Sequence, residues 1–186
     1  DTLDYSYVTS GTNIKADLSA GLVTVGSGGE KDQTANFENV TGGVGNDTLI
    51  GSSGDNVLKG GDGNDSLNGG QGNDSIGGGN GNDTLTSSSG DDTLDGGAGL
   101  DWAVFQGLST AYVITTLNGK TLVTGADGTD WLTGIEYLAF SDKNLLDPTA
   151  DIATPAPPAT GPGTGTVSPP PPHHHRLLRV ATPSRA

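Results

Sequence analysis

Aspartates spaced nine residues apart are the part of this 186-residue sequence with evident chemical capacity. Seven consecutive nine-residue frames run from Gly42 to Val104, with Gly at every fourth position. The sixth positions are Asp47, Asn56, Asp65, Asp74, Asp83, Asp92 and Asp101. Glycine permits a tight turn at positive φ whose carbonyls can point inward, and Ca²⁺ accepts about six to eight carbonyl and carboxylate oxygens in flexible geometry. The spacing therefore predicts calcium binding between stacked turns.

The strands that must position these loops are predicted from the eighth position of each frame, which is Leu, Ile or, in the last frame, Ala. One apolar residue between two other residues forms a very short strand, and such strands can stack into a parallel ladder with the aliphatic row inside. The sixth-position Asp could instead only cap its own turn. Carboxylates stacked about 5 Å apart would repel each other without a cation, which favours the metal.

Composition excludes several other classes of protein. The sequence has no Cys, only 31% hydrophobic residues and a formal charge of −14, so disulfides, thiolate-bound zinc and an ordinary apolar core are excluded. Five Lys and no Arg before residue 176 argue against nucleic acid, and no apolar run approaches the length of a transmembrane helix. No His precedes residue 173 and no G-x-S-x-G occurs, so we expect neither catalysis nor an organic cofactor.

The frames, for example GGDGNDSLN at residues 60–68, resemble the calcium-binding nonapeptide GGxGxDxUx of the RTX (repeats-in-toxin, haemolysin-type) family. The resemblance implies an all-β fold, a right-handed parallel β-roll that is a calcium-bound solenoid. In that fold two frames make one turn, and each ion lies between a loop and the loop two frames later. The first loop supplies carbonyls at its second and fourth positions, the second loop supplies carbonyls at its first and third positions, and both supply Asp.

The resemblance implies three sites on the edge formed by the loops of Asp47, Asp65, Asp83 and Asp101, which we call the Asp47 edge. Their ligands would be Gly43, Gly45, Asp47, Gly60, Gly61, Asp62, Gly63, Asp65, Gly78, Gly79, Asn80, Gly81, Asp83, Gly96, Ala98 and Asp101. The loops of Asn56, Asp74 and Asp92 form the opposite edge, the Asp74 edge, with two sites. Their ligands would be Asn56, Gly69, Gly70, Gln71, Gly72, Asp74, Ser87, Ser89 and Asp92.

A degenerate frame at residues 33–41 resembles an N-terminal cap of the family and has Glu38 at its sixth position. It would add a sixth ion through Asn36 and Glu38, facing the loop of Gly51, Ser53 and Asn56. We therefore expect about five or six Ca²⁺ ions. The Asp74 edge should be the weaker one, because Asn56 is neutral and two glycines are replaced in Ser87-Ser88-Ser89.

The flanks of the repeats predict caps and a tail. We expect an N-terminal capping segment at 1–41, the roll at 42–104, a C-terminal β cap at 105–147 and a Pro-rich linker with a tag-like tail at 148–186. All Pro lie in the last segment, together with the tag-like His173, His174 and His175. Asn118 and Gly119 predict a hairpin turn. Both flanks carry Asp-x5-Glu, at Asp32/Glu38 and Asp130/Glu136, so Glu136 could also be a frame position.

The resemblance and the composition together predict a non-catalytic calcium-binding module, part of a larger bacterial protein exported by a type I secretion system. Its expected location is extracellular or on the cell surface, and its expected partners are calcium and neighbouring domains of the parent protein. The repeats should fold only when Ca²⁺ binds outside the cell. Two alternatives remain: a polysaccharide-binding accessory module of a secreted enzyme, and an adhesin or ice-binding roll that uses the row of Asn46, Asn64, Asn73 and Asn82.

Overall fold

The structure is a computed structural model that describes residues 1–9, 11–26, 31–33, 36–117 and 120–146. The predicted turn at 118–119 and the predicted linker and tail at 148–186 lie outside these residues. Within the described part there is no helix long and apolar enough to cross a membrane.

Short strands form nearly all of the regular structure, because each frame supplies one inward-facing aliphatic residue between loops. One short 3₁₀ helix, η1 (Ser109–Ala111), accompanies them. In chain order the described strands are β1 (Thr2–Asp4), β2 (Ile14–Asp17), β3 (Leu22–Val25), β4 (Lys31–Gln33), β5 (Asn39–Thr41), β6 (Thr48–Ile50), β7 (Val57–Asp62), β8 (Ser66–Gln71), β9 (Ser75–Asn80), β10 (Thr84–Ser89), β11 (Thr93–Ala98), β12 (Trp102–Val104), β13 (Val113–Leu117), β14 (Lys120–Thr124), β15 (Thr129–Thr133), β16 (Tyr137–Ala139) and β17 (Asn144–Leu146).

Consecutive frames alternate between two sheets. Among the described residues, the first sheet has the order β1-β5-β7-β9-β11-β15-β14-β13 and the second has the order β17-β16-β12-β10-β8-β6-β2-β3-β4. In the repeats every strand pairs in parallel with the strand two frames later, so that Leu67 lies beside Leu85 and Leu58 beside Ile76. This topology confirms the predicted all-β fold with parallel sheets, in which two frames make one turn of a β-roll.

The core is the aliphatic row predicted from the eighth positions. The residues of that row are at most 1% exposed, and they are Leu49, Leu58, Leu67, Ile76, Leu85, Leu94 and Ala103. The flanks extend the row with Ala16, Val40, Leu132 and Leu138, which pair with it in register. The flanking segments therefore continue the sheets of the roll as well as closing its ends.

The strands β7 to β11 are six residues long, which is longer than the three-residue strands expected from the sequence. Each continues into the first three positions of the next frame. The parallel hydrogen bonding continues into this part of the next frame, where for example the Asp62 N–H donates to the carbonyl of Gly43 at 2.9 Å. Glycine stands at the first position in all of these strands except β10, which has Ser87. At Gly60 the absence of a Cβ permits the continuous course, because a Cβ there would lie 2.5 Å from the carbonyl oxygen of Gly78.

Antiparallel strands and aromatic rings close the ends of the solenoid. The strands β13 and β14 extend the first sheet beyond β15, and β17 extends the second beyond β16. Phe105, Tyr112 and Phe140 cluster there, with ring centroids 5.2–5.4 Å apart. Phe105 and Phe140 are buried, whereas Trp131 is 39% exposed on the outer face. The large residues that the repeats lack are thus concentrated where the aliphatic row would otherwise meet solvent.

Replacing one member of the aliphatic row tests how much it contributes. Leu85→Ala should lower the free energy of unfolding by about 2–5 kcal/mol, because the neighbouring loops are too tightly stacked to close the cavity. Urea unfolding at saturating calcium measures the change. Thr93→Ala, on the exposed face of β11, is the control and should change stability by less than about 0.5 kcal/mol. Equal losses for the two variants would contradict a core made of this row.

Candidate calcium sites

The sixth-position side chains are buried, and one oxygen of each Asp is engaged in the same way. That oxygen accepts the backbone N–H of the sixth-position residue two frames earlier: Asp65 accepts from Asp47 at 2.7 Å and Asp83 accepts from Asp65 at 2.8 Å. The same bond joins Asp101 to Asp83, Asp74 to Asn56 and Asp92 to Asp74. These bonds hold successive loops of one edge in register.

The second carboxylate oxygen of five aspartates has no hydrogen-bond partner although it is buried. These oxygens are the Oδ2 atoms of Asp65, Asp74, Asp83, Asp92 and Asp101. A buried charged oxygen without a partner carries a desolvation cost that only a nearby cation or a proton can offset. The unpartnered oxygens therefore mark where a cation would be held.

The first-position glycines leave space beside these oxygens for a convergence of ligands. A Cβ on Gly60 would lie 2.1 Å from Oδ2 of Asp65 and 2.5 Å from the carbonyl oxygen of Gly78. Equivalent positions at Gly42 and Gly78 face the carboxylate of their own frame and the carbonyl two frames later. A carboxylate from one loop and a carbonyl from the next loop of the same edge thus approach one point.

The second and fourth positions bring further carbonyls between the loops. A Cβ on Gly61 would lie 2.3 Å from the carbonyl oxygen of Gly43, and a Cβ on Gly63 would lie 1.9 Å from that of Gly45. Gly61 and Gly63 have φ of 118° and 131°, the predicted turn conformation. Ser88 adopts φ of 73° at a second position, so the serine-containing loop reaches a left-handed conformation despite its side chains.

Burial raises the pKa of most sixth-position carboxyls. It raises the pKa of Asp65 to about 7, with the charges of Asp47 and Asp83 adding to the effect, and the pKa of Asp74 to about 6. The pKa of Asp92 is raised to about 7, mainly by burial and further by Asp130. Burial also raises the pKa of Asp83 and Asp101. The hydrogen bond from the loop two frames earlier opposes this effect of burial, because it lowers the pKa of each of these carboxyls.

The oxygens that converge between the loops are mostly backbone carbonyls. Within the described ranges, no three or more Asp, Glu or His side chains form a cluster of the kind that binds a metal by side chains alone. One or two carboxylates with several carbonyls form a set of hard oxygens in a flexible loop, which suits Ca²⁺ better than Mg²⁺, since Mg²⁺ requires near-ideal octahedral geometry and keeps its waters. The fold and the sites together define a calcium-binding parallel β-roll.

Comparison with known proteins agrees with this class. Residues 41–76 and 77–103 match the family model of the RTX calcium-binding nonapeptide repeat (4 copies). The chain therefore carries RTX calcium-binding repeats, as the sequence pattern predicted. A search of curated proteins found no match to the chain.

The fifth position has a structural role that the sequence reasoning did not assign. Its side-chain oxygen accepts the backbone N–H of the fifth-position residue two frames later: Asn46 accepts from Asn64, Asn64 from Asn82, and Asn73 from Asp91, at 2.8–2.9 Å. The side-chain oxygens of the Asn row are thus engaged in holding the turns together. The regular recurrence of Asn or Asp at this position was the available sequence signal.

Two further residues have a position that the sequence reasoning missed. Ser52 and Gly54, at the second and fourth positions of their frame, place carbonyls against Gly70 and Gly72 as Gly43 and Gly45 do against Gly61 and Gly63. They were omitted from the predicted ligands, although the frame itself indicates them.

The predicted sixth site, with Asn36 and Glu38, stays a prediction. The Glu38 side chain is 53% exposed, and its carboxylate accepts the N–H of Asp1, which is the bond that a sixth-position Asp makes elsewhere, while β5 pairs in parallel with β1. Asn56 donates its side-chain amide to the carbonyl of Glu38 at 2.7 Å and accepts from the Ser52 N–H at 2.7 Å. Asn56 therefore contacts the backbone of Glu38, and both ends of its side-chain amide are already bonded within the protein.

Glu136 does occupy a frame position, as its spacing suggested. Its Oε2 accepts the N–H of Asp101 at 2.8 Å, which is the bond that a sixth-position Asp makes elsewhere, and β16 pairs in parallel with β12. The Asp47 edge thus ends in a glutamate from the C-terminal flank.

The raised pKa values predict that protons can partly replace calcium. The carboxyls of Asp65, Asp74 and Asp92 have a pKa in the folded roll above the unfolded value of about 3.9. The calcium-free roll is therefore most stable below about pH 3.9, and it loses stability as the pH rises through about 6–7 and these carboxyls lose their protons. Protein passed through a chelating resin should show more strand signal by circular dichroism at about pH 5 than at pH 8. Stability of the calcium-free protein that rises with pH would contradict this.

Removing one buried charge tests the sites on the Asp47 edge. Asp83→Asn retains an oxygen that can accept the Asp65 N–H but removes the charge, and it should raise the calcium concentration at half-saturation roughly tenfold, because charge count tunes calcium affinity. Isothermal titration calorimetry measures this. Asp95→Asn is the control, since Asp95 is exposed on a strand and loses the same charge. Equal shifts in both variants would show a general charge effect instead of a site.

Proposed function

We propose that this chain is a non-catalytic calcium-binding module of a larger secreted protein, and that its repeats fold when Ca²⁺ binds outside the cell. One observation carries the proposal: five buried aspartate oxygens on the two edges lack any hydrogen-bond partner. Protonation can offset this cost in acid, but near neutral pH a cation must do so. The calcium-binding repeats identify which cation.

Five ions are proposed between loops of the same edge, three on the Asp47 edge and two on the Asp74 edge. Each would be held by carbonyls and the sixth-position side chains of two loops, with the carbonyls of Ser52 and Gly54 completing the first site of the Asp74 edge. This site should be the weakest, because Asn56 contributes no charge and both ends of its amide already bond the protein.

The dependence of folding on calcium follows from the shortage of apolar surface. Each frame buries one aliphatic side chain, which cannot by itself offset the conformational entropy of nine ordered residues. Without calcium the buried carboxylates add repulsion along each edge. Metal binding free energy therefore becomes folding free energy, as in other small domains that lack a preformed site when unfolded.

Calcium-dependent folding would be useful during export of the protein. Extracellular calcium modules bind calcium with a Kd of about 0.1–1 mM, far more weakly than cytosolic calcium sensors. A chain that stays unfolded inside the cell and folds outside suits a type I secretion system, and the module would then serve neighbouring domains of its parent protein. A catalytic role finds no support, because the acidic residues of the loops are accounted for by the calcium sites and no His precedes residue 173.

Calcium titration followed by far-UV circular dichroism tests the proposal. At about pH 7.5 the protein in chelator should lack most of its strand signal and should gain it cooperatively as calcium approaches millimolar concentration. Equal concentrations of Mg²⁺ serve as the control and should restore little. A strand signal already complete in chelator would refute coupled folding, and equal effects of the two metals would refute the calcium assignment.

A further inference from the structure

A loop in the C-terminal flank repeats the geometry of a frame although it lies outside the matched repeats. Residues 125–133, GADGTDWLT, place Gly128, Asp130 and Leu132 at the fourth, sixth and eighth positions. Asp130 lies 38 residues after Asp92, whereas partners within the repeats lie 18 residues apart. The additional residues belong to the segment that contains η1, β13 and β14.

The bonds between this loop and the loop of Asp92 are those that join ordinary frames. The N–H of Gly90 donates to the carbonyl of Asp127 at 2.7 Å, and the N–H of Asp92 donates to Oδ1 of Asp130 at 2.9 Å. Asp91 and Asp92 in turn accept the N–H groups of Thr129 and Trp131 at 2.9 and 2.8 Å. The same four bonds join the loops of Asp74 and Asp92, so the insertion interrupts the ladder in sequence but not in space.

Buried oxygens without partners lie between the two loops. Oδ2 of Asp92 and Oγ of Ser87 have no hydrogen-bond partner, and their residues are 1% and 0% exposed. Asp130 is 2% exposed and its Oδ1 accepts the N–H of Asp92, while Ser87 is the first-position residue of the Asp92 frame. Two carboxylates and a hydroxyl are therefore enclosed together at this end of the Asp74 edge.

The hydroxyl of Ser87 takes the place of a first-position carbonyl, which the 125–133 loop does not provide. At Gly42, Gly51, Gly60 and Gly78 a Cβ would collide with the first-position carbonyl two frames later, and at Gly51 it would lie 1.9 Å from the Gly69 oxygen. In the 125–133 loop the first position is Gly125, which instead lies against the ring of Tyr112. The space beside Asp92 thus admits the serine side chain, whose hydroxyl supplies an oxygen there.

We propose that Ser87, Asp92 and Asp130 hold an additional Ca²⁺ ion, which ties the C-terminal hairpin to the end of the roll. The carbonyl of Gly90, which faces Gly128, completes the oxygen set. This site rests on the proposed calcium-dependent folding, but it differs from the others in drawing on more side-chain oxygen. With two carboxylates it carries more charge than the site of Asn56 at the other end of the same edge.

Trp131 provides a local reporter, because its backbone N–H donates to the backbone carbonyl of Asp92 at 2.8 Å. In a Trp102→Phe background it is the only Trp. In that background Asp130→Asn should bind one calcium fewer by equilibrium dialysis, and the Trp131 fluorescence transition should need roughly tenfold more calcium. Asp55→Asn is the matched control: Asp55 is exposed on the same edge, and Asn stands at its position in other frames. It should leave both quantities unchanged.

Unchanged stoichiometry and an unchanged Trp131 transition in Asp130→Asn would overturn the additional site while leaving the proposed function intact. Failure of the chain without the Asp130 substitution to bind calcium would overturn both the additional site and the proposed function. Should Asp130→Asn not fold in calcium, Ser87→Ala decides, since it removes only the hydroxyl. It should raise the calcium concentration of the Trp131 transition without loss of strand signal, and an unshifted transition in this variant would overturn the site.

Discussion

One hydrogen bond recurs along both edges of the roll, from a backbone N–H to the carboxylate of the sixth-position residue two frames later. It aligns successive loops and leaves the second carboxylate oxygen buried beside the first-position residue. The bond that builds the stack therefore also lines up negative charge about 5 Å apart along each edge. A divalent cation between loops turns this repulsion into attraction, and the remaining features of the structure can be understood from that requirement.

Polar ladders complement a core only one aliphatic residue wide. The fifth-position Asn and Asp side chains form a second line of bonds between the same loops, parallel to the carboxylate line. Each loop is thus held by backbone, amide and carboxylate contacts to its neighbours on one edge. Because these contacts are local to adjacent turns, stability in such a solenoid is close to a sum over turns and their interfaces. The ends, which have only one neighbour, receive the aromatic cluster and the antiparallel strands.

In this protein the hydrogen bonds between loops identify a frame more reliably than the number of residues between frames does. At the N-terminal end β2 pairs with β6, and Asn13 accepts the Asn46 N–H as a fifth-position residue would. Ile14 then stands at the sixth position, so the carboxylate ladder stops there while the strand ladder continues. At the C-terminal end Asp130 and Glu136 extend the carboxylate ladder on the two edges, although neither lies at the regular interval.

The sequence by itself determined the parallel roll, its aliphatic row and the positions of the buried aspartates. Each of these depends on a strict nine-residue period, in which a residue pairs with the residue at the same position two frames later. The hydrogen bonds of Asn56 and the exposure of Glu38 required the tertiary structure, because competing partners around an irregular frame depend on what packs against it. The return of Asp130 to the ladder was likewise decided in three dimensions. A hairpin excursion changes the distance along the chain, whereas hydrogen bonding depends only on the distance in space.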